Sequence, residues 1–116
     1  MLLTREAILS ASDLKVEVVE VKEWGGSVRV STMSGAARDE WEREIVNRAN
    51  GNKWVGNARA LLASYTIVDE QGNRLFSAAD IEALGAKNGA ALQRVCKVAQ
   101  KLNRLTGADL EETKGN

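Results

Sequence analysis

Residues 15–33 read KVEVVEVKEWGGSVRVSTM, and this stretch decides the fold class. Val16, Val18, Val19 and Val21 recur with near-alternation in a β-branched run, which predicts a strand over 15–22. Trp24-Gly25-Gly26-Ser27 reads as a turn, because glycine accepts the positive φ that a tight reversal needs. Val28, Val30 and Thr32 then alternate with Arg29 and Ser31. The result is a two-stranded β-hairpin, and it is the clear β signal of the chain.

Everything around the hairpin carries a helical period. Upstream, Leu3, Ala7 and Ile8 with Glu6 in the first turn predict a short helix from Thr4 to about Ala11. Downstream, Ser34 is placed to cap a helix whose stripe is Ala37, Trp41, Ile45 and Ala49, closed by Asn50-Gly51-Asn52. From Asn57, the spacing of Ala58, Leu61, Leu62 and Tyr65 predicts a helix over 57–65, with Thr66-Ile67-Val68 open to either a helical or an extended reading. A further helix starts at Ser77, carries Ile81 and Leu84, and ends near Gly85. The last runs through Leu92, Val95, Cys96, Ala99 and Leu102. The fold class is therefore α+β: a small two-stranded hairpin packed with four to five helices, and a helix-rich C-terminal half. Residues 1–106 are expected to form one domain, and 107–116 a weakly packed tail with too little apolar content to bury.

Composition removes several function classes. The chain has 116 residues, 16 basic against 16 acidic, and 44% hydrophobic residues. That balance provides no net field toward nucleic acid or an anionic membrane. No apolar run approaches the roughly 20 residues of a membrane span. The N-terminal MLLTREAILSASDLK lacks the basic-then-apolar layout of a secretion signal. There is no histidine, and the one cysteine cannot form an internal disulfide, which fits a reducing cytoplasm. A zinc site needs about four Cys, His or carboxylate ligands, of which this chain offers one Cys and no His, and neither a GxxxxGK[ST] nor a GxGxxG element occurs. No catalytic residues, cofactor or metal are expected.

One stretch invites a metal reading. In VDEQGNRLFSAADI, residues 68–81, the oxygen-bearing Asp69, Gln71, Asn73, Ser77 and Asp80 approach EF-hand spacing. The loop needs glycine at its sixth position and has Arg74; the twelfth position wants a bidentate Glu and has Asp80. A turn explains more. Asp69, Gly72 and Asn73 are turn formers, Ser77 and Asp80 make a shortened capping box, and Phe76 with Ile81 is spaced as a hydrophobic staple.

Three tryptophans stand out among five aromatic residues in all. Trp41 lies on an apolar stripe and reads as core. Trp24 at the hairpin turn and Trp54 after the Asn-Gly-Asn loop occupy positions that are often exposed, and tryptophan is enriched at interaction hot spots. They are the candidate partner-binding residues, with the alternative that they fold back over the core edge. The exterior of the last helix, with Arg94, Lys97, Lys101 and Arg104, reads as a solvated face rather than an RNA surface.

The order of segments LTREAILSASDL, VEVVEVKEWGGSVRVSTMSGAARDEWE and RALLASYTIVDEQGNRLFSAADIEALGAKNGAALQRVCKVAQKLNRLT resembles the tail assembly chaperones of long-tailed double-stranded DNA bacteriophages (siphophages). The resemblance covers about residues 3 to 105. It implies partners rather than chemistry: the long tape measure protein, which such chaperones keep soluble in the host cell cytoplasm, and the major tail (tube) protein, whose subunits assemble around it. It also implies absence from the finished virion and, in many members, a second form extended by a ribosomal frameshift near the end of the short coding region. The ETKGN ending suits the short form or such a junction. Many weak copies along one chain also admit self-association. The competing reading is a small adaptor or regulatory module with another partner.

Overall fold

The computed structural model describes residues 1–50 and 57–105. Asn50 closes the second helix, and the rest of the predicted stop at Gly51-Asn52, Trp54 and the 107–116 tail lie outside the described residues.

The hairpin forms as its alternation demands. Strand β1 (Val16–Val21) pairs antiparallel with β2 (Gly26–Ser31), in a register running from Val16 opposite Ser31 to Val21 opposite Gly26. The connection is four residues, Lys22–Gly25, two positions earlier than the expected turn at Trp24–Ser27. Lys22–Trp24 form one 3-10 turn, Gly25 takes φ 77, and β2 starts directly at Gly26. At Gly25 the left-handed φ is what glycine supplies.

A third strand extends the sheet beyond the hairpin. β3 (Ile67–Val68) pairs antiparallel with β2, Ile67 opposite Val30 and Val68 opposite Arg29. The Thr66-Ile67-Val68 ambiguity thus resolves at Thr66, the last helical residue. One sheet face carries Val19, Val21, Val28, Val30 and Ile67 into the core, while Val16 and Val18 stand exposed on the other.

Helix α1 (Arg5–Ser10) is capped by Thr4, whose Oγ1 accepts from the Ala7 N–H at 3.1 Å. Helix α2 (Gly35–Asn50) starts after Ser34, whose Oγ accepts from the Ala37 N–H, and drives Trp41 into the core at 2% exposure. Helix α3 (Ala58–Thr66) is the centre of the domain: every residue from Ala60 to Thr66 is buried. Its two buried hydroxyls bond back into the helix, Ser64 to the Leu61 carbonyl and Thr66 to the Leu62 carbonyl, so neither is left unsatisfied. Around α3 pack α2, strand β2 and two more helices, α4 (Ile81–Gly85) and α5 (Gly89–Leu102). Helix α5 presents Ala91, Leu92, Val95, Cys96 and Ala99 inward.

The stretch with EF-hand spacing is a turn built by its own side chains. Asp69 Oδ1 accepts from the Gln71 and Asn73 N–H groups at 2.9 Å each, and Gly72 takes φ 86. The Asp80 carboxylate accepts from the Ser77 N–H at 2.8 Å, the reciprocal half of the capping box. Both carboxylates are thereby spent on backbone N–H groups. Arg74, in the place of the required glycine, lies over the Tyr65 ring at 3.9 Å and donates to the Ser64 carbonyl. Gly85 ends the helix, as expected. It is the final residue of α4, with Ala86 after it in right-handed conformation. A Cβ there would meet the end of the Asn57 side chain, which would have to shift to admit it.

Candidate functional site

Two surfaces on this scaffold have shapes that the core does not explain. The first is a cleft of about 460 Å³ at the turn end of the hairpin. Trp24, Phe76, Ala83 and Leu84 form its apolar walls, while Glu23, Asp80 and Lys87 carry its charges. Each wall comes from a different local rule: the 3-10 turn projects Trp24, the residue before the capping box is Phe76, and the inner face of α4 supplies Leu84.

Trp24 is half-buried and packs against the core edge. Its indole Nε1 is fully buried and meets no hydrogen-bond acceptor within the protein. A buried donor in that state costs free energy, on the order of 1–3 kcal/mol, and native proteins keep few of them. Trp24 thus folds back over the core edge with part of its ring and lines the cleft with the rest.

The cleft is held to α5 by an ion pair. Arg94 donates to Glu23 through both guanidinium arms, Nη1 to Oε1 at 2.8 Å and Nη2 to Oε2 at 3.0 Å. That hydrogen bonding, helped by a backbone N–H, holds the Glu23 carboxyl down at about 2. The same contact pushes the Arg94 guanidinium further up. A depressed carboxylate pKa stabilises the fold at pH values above the ordinary 4.5, and that stabilisation drains as pH falls toward 2. The gap in melting temperature between the wild type and Glu23→Gln should accordingly be largest near neutrality, narrow below pH 4.5 and close near pH 2. A gap that stays constant from pH 7 to pH 2 counts against the ion pair. The group is solvent-facing, so the gap is expected to be small and to shrink in high salt.

The second surface is the N-terminal arm. Ten large apolar side chains are exposed among the described residues, and eight of them fall within residues 1–18: Met1, Leu2, Leu3, Ile8, Leu9, Leu14, Val16 and Val18. Helix α1 buries none of its residues. Its apolar side chains Ala7, Ile8 and Leu9 are exposed among the described residues, as are Val16 and Val18 on the outer face of β1. Exposed apolar side chains in this number make the arm a candidate binding surface.

The remaining candidates resolve plainly. Trp41 is core, and its Nε1 is also buried without an acceptor. Cys96 is buried, donates its thiol to the Arg59 carbonyl at 3.3 Å and is pushed up to about 12 by burial, so no thiolate forms near neutral pH. On the α5 exterior, Arg94 is bound to Glu23 and Lys101 to Glu17 at 2.9 Å, which halves the free cationic face. Among the described residues, no group of three or more Cys, Asp or Glu side chains converges as a metal would require, and no helix is long and apolar enough to cross a membrane.

A residue that sequence reasoning missed is Asn103. Just past α5 and 6% exposed, it accepts from the Met33 N–H at 2.6 Å and donates to the Ala99 carbonyl at 2.8 Å and the Ser31 carbonyl at 3.4 Å. Its own carbonyl accepts from Arg38. The available signal was its spacing: Asn103 continues Leu92, Cys96 and Ala99 at helical intervals and so falls on the buried side.

Comparison with known proteins decides what kind of molecule carries these surfaces. The family described as "Phage tail assembly chaperone" matches residues 4–116. The chain belongs to that family. Its role is assembly, so the chaperone is read through its surfaces rather than through a reaction centre. A solved structure titled "Structure of bacteriophage HK97 tail assembly chaperone" shares the chaperone's fold with a TM-score of 0.58. The two are 24% identical, over 84% of this chain and 94% of that one. No curated protein matches the chaperone's sequence.

Proposed function

We propose that this chaperone binds the tape measure protein in the host cytoplasm, keeps that long chain from aggregating, and yields it to tail tube subunits as the tail forms, without remaining in the mature virion. The observation that carries the reading is the arm: eight exposed apolar side chains in the first 18 residues, displayed by a folded domain that has no use for them. A binder that covers apolar segments lowers the concentration of aggregation-prone chain by mass action alone. Many copies, each weak, coat one long partner through multivalency, and tube subunits can then displace them one at a time. The chain's zero formal net charge suits repeated side-by-side binding, since copies do not repel one another strongly.

Co-expression with the tape measure protein of the same phage tests this reading. The expected result is a larger soluble fraction of the long chain, which co-purifies with the chaperone. The triple variant Leu3→Ser/Ile8→Ser/Leu9→Ser alters only exposed side chains, so it should fold normally and lose most of the effect. Replacing Trp24 and Trp54 together with polar residues should weaken co-purification several-fold while the circular dichroism spectrum is retained. A tape measure protein that stays insoluble and unbound, in the presence of the folded wild type, overturns the proposal and favours an adaptor with another partner.

A further inference from the structure

We infer that strand β1 is a pairing edge for a second copy of this chain, and that two copies join antiparallel about a two-fold axis at Val18, so that their sheets become one. The inference rests on the sheet and not on which tail protein the chaperone holds.

The strand order is β1-β2-β3, so one side of β1 is unpaired among the described residues. The Thr32 N–H donates to the Lys15 carbonyl at 2.8 Å, and Val16 stands opposite Ser31. Antiparallel alternation then turns the N–H and C=O of Glu17, Val19 and Val21 toward β2, and those of Val16, Val18 and Glu20 away from it. These last three meet no backbone partner outside the hairpin among the described residues. Devices that blunt an edge are missing: the chain has no proline, and the β1–β2 register runs without a bulge. Glu17, on the inner side of that edge, is ion-paired with Lys101 at 2.9 Å. On the outer side Val16 and Val18 are exposed.

Many extended segments would satisfy these main-chain groups; what selects a second copy is that β1 matches itself in one register. With Val18 opposite the partner's Val18, Val16 falls opposite the partner's Glu20. All three outward-facing residues of both copies are then used, each pair exchanging both N–H···O bonds. No like charges face each other, and the two Val18 side chains meet on the outer face. Centring the pair on Glu17 sets that carboxylate against its own copy. Centring it on Val19 sets Val16 against the partner's Lys22, beyond the strand. Pairing also completes a surface. Leu14 comes to lie opposite the partner's Lys22, so each arm starts beside the hairpin turn that carries the partner's Trp24. The arm and the Trp24 end therefore meet only in the pair.

Sedimentation equilibrium of the full chain tests this. A ladder this short makes a weak dimer, so the wild type should show it as concentration rises to about 1 mM. Val18→Lys or Val18→Glu alone sets like charges across the axis and should weaken dimerisation about fivefold, the factor that roughly 1 kcal/mol gives. Both alter an exposed side chain and should keep the wild-type circular dichroism spectrum. Mixed in equal amounts, the two variants should dimerise again, because opposite charges then face each other. Under mild oxidation Val18→Cys should form a disulfide-linked dimer, since paired Cα atoms stand about 5.5 Å apart. Glu20→Cys, whose own mate lies about 14 Å away, should not. Cys96 is buried and does not compete. A wild type that is monomeric at every concentration, single variants that dimerise as well as it does, or a mixture no better than its components would overturn the inference. So would loss of the dimer in Leu3→Ser/Ile8→Ser/Leu9→Ser, because self-association would then belong to the arm. These measurements use the chaperone alone, so the pairing and the holding role can fail separately.

Discussion

Replacing Trp41 with alanine should destabilise the domain by about 3–5 kcal/mol, the usual range for removing a buried tryptophan. Trp41 is the largest side chain in the core and the residue by which α2 is attached to the rest of the domain, with Ala37 and Ile45 only partly buried beside it. Its loss leaves a cavity that Ala37 and Ile45 cannot fill. A domain of this size has about 5–15 kcal/mol in hand, so the variant would retain little stability at 37 °C. Trp41→Phe should cost much less. It keeps most of the volume and removes an indole N–H that is buried without an acceptor, which offsets part of the lost contact. Urea denaturation of the three proteins measures both values. A loss under 1 kcal/mol for Trp41→Ala would mean that α2 contributes little to the cooperative fold.

The second large effect is expected at Asn103, where replacement by alanine should cost about 2–3 kcal/mol, the penalty of stranding a buried donor and its neighbouring acceptors. The side chain joins the end of α5 to the segment after β2: its oxygen serves the Met33 N–H, and its amide serves the Ala99 and Ser31 carbonyls. Asn103→Asp separates the two halves of that role. The carboxylate still accepts from Met33 but faces two carbonyl oxygens with no proton to offer, so at neutral pH it should be at least as damaging as alanine. Hydrogen exchange supplies the local readout. In Asn103→Ala the Met33 amide should lose protection beyond the global drop, whereas unchanged protection there would show that the bond carries no weight.

These residues also show which features a linear sequence can express. The hairpin is legible because alternation and a glycine pair are local facts, and the Ser77–Asp80 capping box is legible because a three-residue spacing encloses the whole interaction. Helices α2 and α5 follow from their stripes. Strand β3 is two residues long and exists only because β2 offers it a ladder, so no period could announce it. Gly85 is legible as a helix end, but its closeness to the Asn57 side chain, 28 positions away in sequence, is not. The apolar spacing of α1 foretells a sticky face but cannot say that the domain leaves it uncovered. Trp24 was identifiable as a candidate; the cleft was not, because its walls come from three segments that only the tertiary fold brings together.

The hairpin also gives the molecule two poles. At its open end, the Lys15 carbonyl accepts from the Thr32 N–H, and Asn103 is bonded to Ser31 and Met33. The arm therefore joins the sheet, and the chain leaves α5, at the same place. Trp24 lies at the other end, about 20 Å away along a six-residue strand. Whatever follows Leu105 sets out from the pole opposite the cleft. A fluorophore placed near Leu105 would stand clear of the Trp24 end, and energy transfer from a labelled partner would then report which pole of the domain faces it.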